Sequence, residues 1–301
     1  MKNLKPILDY LVYNDLFYLV NEPMIRHTTF QIGGPADLMV YPTRRREICD
    51  LVRICRSHNI PYTALGNGSN ILVSDSGIRG LVIMTDRMHR ITVGNHGTIE
   101  AWAGAPLSRV ATIAKNYGLT GLEFAFGIPG SIGGAVYMNA GAYNRQMNNV
   151  ITATEYVDEE GNLCTVEGDA HRFGYRTSCF KDTRHIIVKT RLQLESGEEE
   201  AIADLMKQYT QARKEKQPLE MPSAGSTFKR PEGYFAGKLI EDCGLKGRQV
   251  GGAQVSTKHA GFIVNIGGAK ATDVLELVQV VKAEVQEKFG VALEPEIKFL
   301  G

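Results

Sequence analysis

The chain has 301 residues, 43% of them hydrophobic and 22% charged, and a net charge of +1. That length can bury a large core and suits two or three domains, while the balanced charge leaves no general basic field for nucleic acid. No apolar run is long enough to span a bilayer, Asp9, Asn14 and Asp15 interrupt the segment where a secretory signal would be apolar, and Cys49, Cys55, Cys164, Cys179 and Cys243 are scattered without disulfide or metal spacing. The expectation is a cytoplasmic protein with reduced thiols, a monomer or weak oligomer, with no metal, no membrane contact and no nucleic-acid partner.

Apolar residues at roughly helical spacing predict one or two short helices over residues 3–20, ended by Pro23. A strand is expected over Asp37–Tyr41. Thr43 then reads as the N-cap of a helix from Arg44 to His58, with Ile48, Leu51, Val52 and Cys55 on one face. Pro61 stops it before a strand at Tyr62–Leu65. The small polar cluster Gly66-Asn67-Gly68-Ser69-Asn70 follows, then a strand over Ile71–Ser74. Such a cluster presents amides to a diphosphate, or it is a hairpin turn, for which Asn-Gly is a strong signal. It is not the Rossmann fingerprint, because no GxGxxG opens a helix.

Strands are predicted over Leu81–Thr85, Ile91–Val93 and Ile99–Ala103. Pro106 fits the first position of a helix running to Tyr117, with Gly118 as its stop. The next stretch, GIPGSIGGAVYMNAGAY from Gly127 to Tyr143, has five glycines and no charged residue. Glycine leaves no side chain in the way of a phosphate or flat ring, and arrays of amides bind anions without Lys or Arg. The alternative is a tight loop packed on its own fold. Ile151–Val157 and Leu163–Val166 read as a hairpin, and Ile186–Leu194 as another strand. Composition shifts at Glu195–Glu200, marking a domain boundary or a helix start. Helices are expected over Ala201–Lys216, Phe235–Cys243 and, capped by Thr272 and ended by Gly290, up to Phe289, with a strand over Ala260–Ile266. The pattern is α+β.

Outside the glycine loops, Arg176 lies between aromatic and small polar residues and could grip a carboxylate bidentately; the alternative is a surface arginine. Ser226 follows Ala-Gly in a short loop and reads as a proton donor or a turn serine. It is not in GxSxG, so a hydrolase elbow is unsupported. Glu296, in a strand-like segment, faces water or a site. Arg213, Lys216, Lys229 and Arg230 form a basic set.

Taken in order, TTFQIGGPAD, LGNGSNILVSD, GIPGSIGGAVYMNAGAY, YRTSCF, PSAGSTFKRP, GGAQVSTKHAGFIVN and EPEIKFLG resemble the UDP-N-acetylenolpyruvoylglucosamine reductase family from about Thr29 to Gly301. The resemblance implies a vanillyl-alcohol-oxidase (PCMH)-type FAD-binding fold plus a separate α+β substrate-binding domain. The division expected is an N-terminal helical segment over 1–22, an FAD-binding domain over 23–198 in two subdomains (about 23–95 and 96–198), and a substrate-binding domain over 199–301. It implies non-covalent FAD held by Gly66, Asn67, Gly68, Ser69 and Asn70, by Gly127, Pro129, Gly130, Ser131, Gly133, Gly134, Asn139, Gly141 and Ala142, and by Arg213.

The implied reaction passes hydride from NADPH to flavin N5, and from there to the β-carbon of UDP-N-acetylglucosamine enolpyruvate. Ser226 matches the family's donor of the proton to the α-carbon. Arg176 and Glu296 match the pair that polarises the substrate carboxylate and steadies the enolate, and Lys216 a residue contacting the diphosphate. Arg230 stands where one branch of the family has Asn. The segment after Arg176 has no room for that branch's Tyr-bearing loop, as in the shorter branch. Two other readings use the same residues differently. Another flavin oxidoreductase of the same fold would use O₂ or act on a different sugar, and a covalent-flavin oxidase would take His27 or Cys179 as its anchor. A non-catalytic FAD-binding module would be indifferent to substitution of Ser226.

Overall fold

The computed structural model describes residues 4–301; residues 1–3, including the expected helix start at residue 3 and the head of the expected 1–22 segment, lie outside the described residues. The chain forms two compact units. One comprises the chain up to Val20, Asp37–Asn67 and Arg79–Ala212, and the other Asn21–Ala36, Gly68–Ile78 and Arg213–Gly301. The linear division expected at 198/199 differs from this. Bonds far apart in sequence draw early segments into the second unit: Thr29 Oγ1 donates to the Ser223 carbonyl (2.7 Å), the Asn265 amide to the Phe30 and Gln31 carbonyls, and strand Lys298–Leu300 pairs in parallel with Ile71–Val73.

In the first unit, helix α1 (Lys5–Tyr13) buries Ile7 and Leu11. The second N-terminal helix expected is instead a strand, Tyr18–Pro23. Asp15 takes a left-handed φ of 51°, which ends the helical path. The first sheet has the order Tyr18–Pro23, Pro35–Val40, Ile78–Met84, Tyr62–Leu65, the last two parallel. Helix α2 (Arg45–Ser57) buries Ile48, Leu51, Val52 and Cys55, with Leu38, Val40, Leu81 and Ile83 in the same core. Its cap is Arg44 and not Thr43, because the Glu47 carboxylate accepts from both the Thr43 (2.7 Å) and Arg44 (3.1 Å) amides. Tyr62–Leu65 and Ile71–Val73 belong to different sheets, so Gly66–Asn70 is not a hairpin turn.

A five-stranded sheet follows, in the order Leu163–Glu167, Ile151–Val157, Ile186–Gln193, Thr98–Trp102, Ile91–Val93. The expected hairpin is its outer pair. Helix α3 (Leu107–Asn116) starts after Pro106, which caps it, and Gly118 at φ 62° follows its end. Helix α4 (Ile132–Tyr137) follows, and α5 (Glu199–Lys216), whose last turn from Arg213 belongs to the second unit, opens on Glu199 and Glu200, whose charge favours a helix N-terminus.

The second unit contains α6 (Ala236–Asp242) and α7 (Ala271–Phe289) with a sheet ordered Ser223–Ser226, Phe262–Asn265, Ala253–Val255, Gln249–Val250. Along α7, Val274, Leu277, Val278, Val281 and Val285 are buried, each contributing about 1.5–3 kcal/mol by leaving water. Its cap is Lys270, two residues before the expected Thr272, because carboxylates serve its first amides. Asp75 accepts from Ala271 (2.8 Å) and Thr272 (3.1 Å), and Asp273 from Lys270 (3.0 Å). Gly290, at φ 68°, ends it as expected.

Two histidines are held neutral. His171 Nδ1 donates to the Gly168 carbonyl (2.9 Å) and Nε2 accepts from Thr154 Oγ1 (3.0 Å), while His259 Nδ1 accepts from the Gly261 amide (3.0 Å). Burial lowers both pKa values from 6.5. The unfolded chain therefore binds more protons, and the stability these rings contribute is present above that value and lost as pH falls through the lowered folded values. Calorimetry should show Tm steady down to about pH 7 and falling below about 6.5; His259→Gln should flatten the fall, and an unchanged slope would contradict this.

Candidate active site

The glycine stretch begins beside a strand end. The amides of Ile132 and Gly133 donate to the carbonyls of Ala105 and Ala103 (both 2.9 Å), and Leu107 donates to Gly130 (3.0 Å). A Cβ on Gly133 would lie 2.9 Å from that of Ala103, so only glycine fits this approach without a shift. Ser131 caps α4, accepting from the Gly134 amide at 3.4 Å. The first unit also brings the two glycine loops together: a Cβ on Gly66 would sit 2.1 Å from Ser131 Oγ. Gly127 and Gly130 are half-buried, Pro129 and Gly134 exposed, and Gly141 and Ala142 pair with Gln146 and Arg145.

Asn139 is expected among the FAD-holding residues of this loop. It is fully buried, and its side chain bonds Asn148, Gln146 and Gly174 of the protein itself. Of the remaining loop residues, Asn67 is exposed, Ser69 half-buried, and Gly68 at φ 60° lies against the His27 carbonyl. Asn70 Nδ2 donates to the Glu296 carbonyl (3.3 Å), and its own carbonyl accepts from Lys298 (2.9 Å).

Arg176 is not a bare surface residue. It occupies the third position of the turn Gly174–Thr177, closed by Gly174 N to Thr177 O (3.1 Å) and Thr177 N to Gly174 O (3.3 Å). Its φ is 54°, a position where turns prefer glycine or asparagine. Nη2 donates to the Gly141 carbonyl at 3.3 Å, and the guanidinium lies 5.3 Å from the Tyr175 ring centre. Arg172, four residues earlier, is also left-handed, at φ 47°. After Arg176 the chain only turns before strand Ile186–Gln193, leaving no inserted loop.

In the second unit, Ser223 pairs with Val264 and Ser226 with Phe262, so the Ser226 strand carries one extra residue. Gly225, at φ 78°, takes that bulge. Bulges re-aim side chains next to active sites, and Ser226 is exposed. The next residue, Thr227, is buried; its carbonyl accepts from the Glu296 amide (2.8 Å), and Phe228 bridges Pro295 antiparallel. The fold thus ties the Glu296 segment to the chain just after Ser226 by one amide bond and one isolated bridge, and Lys229 and Glu294 pair just beyond. Sequence reasoning missed Thr227 and Asn70 as the backbone clamps of Glu296, which only the non-local pairing reveals.

Arg213 is half-buried and Lys216 exposed in the last turn of α5. Arg230 is folded back, its guanidinium 3.8 Å from the Phe235 ring centre and Nε donating to the Tyr234 carbonyl (3.2 Å). His27 Nε2 lies 3.0 Å from Glu22 Oε1. Burial pushes the Cys179 thiol up, keeping it from the reactive thiolate form. All five cysteines are free thiols. Among the described residues there is no metal-holding cluster and no helix long and apolar enough to cross a membrane.

Two family models match the chain: an FAD binding domain over residues 36–167 and the C-terminal domain of UDP-N-acetylenolpyruvoylglucosamine reductase over 217–300. The UDP-N-acetylenolpyruvoylglucosamine reductase of Caldanaerobacter subterraneus subsp. tengcongensis is 50% identical over 94% of this chain and 93% of its own, and that of Clostridium perfringens 47% identical over 96% and 95%. The crystal structure of the reductase from Thermus caldophilus superposes with a TM-score of 0.80 at 36% identity, covering 95% of this chain and 99% of that one. The expected α+β class, an FAD-binding domain with a separate C-terminal domain, is borne out.

Proposed function

We propose, for a chain that belongs to the UDP-N-acetylenolpyruvoylglucosamine reductase family, that it reduces UDP-N-acetylglucosamine enolpyruvate to UDP-N-acetylmuramate with NADPH as the hydride source. The chain is an FAD-dependent oxidoreductase. The observation that carries the finer reading is the Gly225 bulge, which exposes Ser226 just before Thr227, whose carbonyl accepts from the Glu296 amide.

The two glycine loops fit FAD by the chemistry of their donors: amides, Ser69 and Ser131, with no charged side chain and with the close approach of Gly66 to Ser131. When bound, FAD supplies the hydride relay between NADPH and the enol ether. The protein's task is the charge and the proton. Addition of hydride at the β-carbon leaves a carbanion at the α-carbon, delocalised into the carboxylate. Arg176 holds that carboxylate through its planar fork, and preorganised charge of this kind lowers the barrier most in a site that excludes water. Ser226 gives its hydroxyl proton to the α-carbon and takes one back from solvent, so the substrate gains one hydride and one proton. A serine is a weak acid, and it serves here because the carbanion is a strong base and the donor is fixed by the bulge. Glu296 sits beside it to order the hydrogen bonds around the substrate carboxylate. Lys216 and Arg213, on the last turn of α5, take the diphosphate and the flavin. Arg230 meets the substrate less directly, because it is stacked on Phe235.

Gly66→Ala should lower the flavin content, since its Cβ would meet Ser131 Oγ at 2.1 Å and turn that hydroxyl out of place. Adding Ser131→Ala should restore part of the yellow colour, because the nearest remaining atom is then the residue 131 Cβ at 3.1 Å. Absorbance of the purified variants checks both, and a Gly66→Ala protein with full flavin would contradict the placement. NADPH oxidation that depends on the enolpyruvyl substrate tests the activity itself.

A further inference from the structure

Asn139 has a task that the glycine stretch around it does not suggest. Its side chain is fully buried and its backbone left-handed, at φ 42°. Oδ1 accepts from the Asn148 amide (2.9 Å), while Nδ2 donates to Gln146 Oε1 (3.1 Å) and to the Gly174 carbonyl (2.9 Å). The orientation is forced, since a backbone amide can only donate and a carbonyl only accept. Both amide hydrogens are therefore used within the protein, and none remains for a cofactor.

Gly174 opens the turn that carries Arg176. On the far side of that turn, Ser178, also buried, donates from Oγ to the Tyr137 carbonyl (2.8 Å) and accepts from the Phe180 amide (3.3 Å). Two buried side-chain bonds, one on each side of Arg176, thus tie its turn to residues 137–139. The backbone of Arg176 needs such support, because an arginine at φ 54° does not hold that conformation by itself.

We infer that Asn139 is a positioning residue, which sets the Arg176 guanidinium by holding the Gly174 carbonyl and so fixes the substrate-gripping turn to the glycine stretch. This rests on the reading that Arg176 holds the substrate carboxylate. Aspartate at this position keeps the acceptor for Asn148, tolerates the left-handed backbone and, when ionised, removes the donor to Gly174.

The test is a double-mutant cycle of Asn139→Asp and Arg176→Ala, with FAD content, NADPH reduction of the flavin, and kcat and KM for UDP-N-acetylglucosamine enolpyruvate as readouts. Asn139→Asp should keep its FAD and its reduction by NADPH, speed amide exchange at Thr177, and lower kcat/KM for the enolpyruvyl substrate by about 10- to 100-fold. In the Arg176→Ala background the same change should cost less than about threefold, because the residue it positions is gone. An equal loss in both backgrounds overturns the positioning role, and so does loss of FAD from Asn139→Asp. If Arg176→Ala alone leaves kcat/KM intact, the carboxylate reading fails, and unaltered exchange at Thr177 would separately sink the tie to Gly174. Should Asn139→Asp not fold, Ser178→Ala goes through the same cycle with the same expected coupling, and additivity there overturns the inference.

Discussion

Ser226→Ala is expected to leave FAD bound and reducible by NADPH while turnover of the enolpyruvyl substrate falls by about 100- to 10,000-fold, the range for loss of a positioned proton donor. The separation of the two half-reactions follows from where Ser226 sits. It lies on the bulged strand of the second unit, where it pairs with Phe262. Stopped-flow mixing of the variant with NADPH, and then of the reduced variant with substrate, reads the two steps apart. Normal reoxidation by substrate would remove Ser226 as the donor. Glu296→Gln should show the same asymmetry, because its amide bond to the Thr227 carbonyl fixes its backbone whatever its side chain.

Arg176→Gly should lose turnover by about 100- to 1,000-fold without losing the fold. The wild-type residue stands at φ 54°, where an L side chain costs about 1–2 kcal/mol. Glycine removes that cost, and this offsets the loss of the bond to the Gly141 carbonyl. A Tm within a few degrees of wild type, together with a raised KM for the enolpyruvyl substrate, is the expected outcome. Arg176→Lys should recover little activity, since an ammonium cannot reproduce the planar fork, and it keeps the strained backbone. A large drop in Tm for Arg176→Gly would mean that the residue is held for stability.

The parts of this molecule that a local pattern can specify were legible in the sequence. The stripe of Val274, Leu277, Val278, Val281 and Val285, the stop at Gly290 and the Glu159–Asn162 hairpin needed only periodicity and turn chemistry. Cap positions at Arg44 and Lys270 were displaced by one or two residues because carboxylates, Glu47 nearby and Asp75 far away in the chain, decide them. The strand at Tyr18–Pro23 was hidden by apolar residues at helical spacing, and the left-handed Asp15 broke that pattern. At the site, the resemblance of whole motifs named Arg176, Ser226 and Glu296, but not their mechanics. The Gly225 bulge depends on a partner strand near residue 263, and the bonds of Asn139 reach across to residue 174. Such long-range pairings leave no mark in the local spacing of residues.

The most direct measurement is the visible spectrum of the purified protein under anaerobic conditions, taken alone, after NADPH, and after UDP-N-acetylglucosamine enolpyruvate. A yellow protein that NADPH bleaches and the enolpyruvyl substrate recolours without air is the expected result. A protein that recolours only when air is admitted, or a colourless one that takes up no added FAD, would contradict the account.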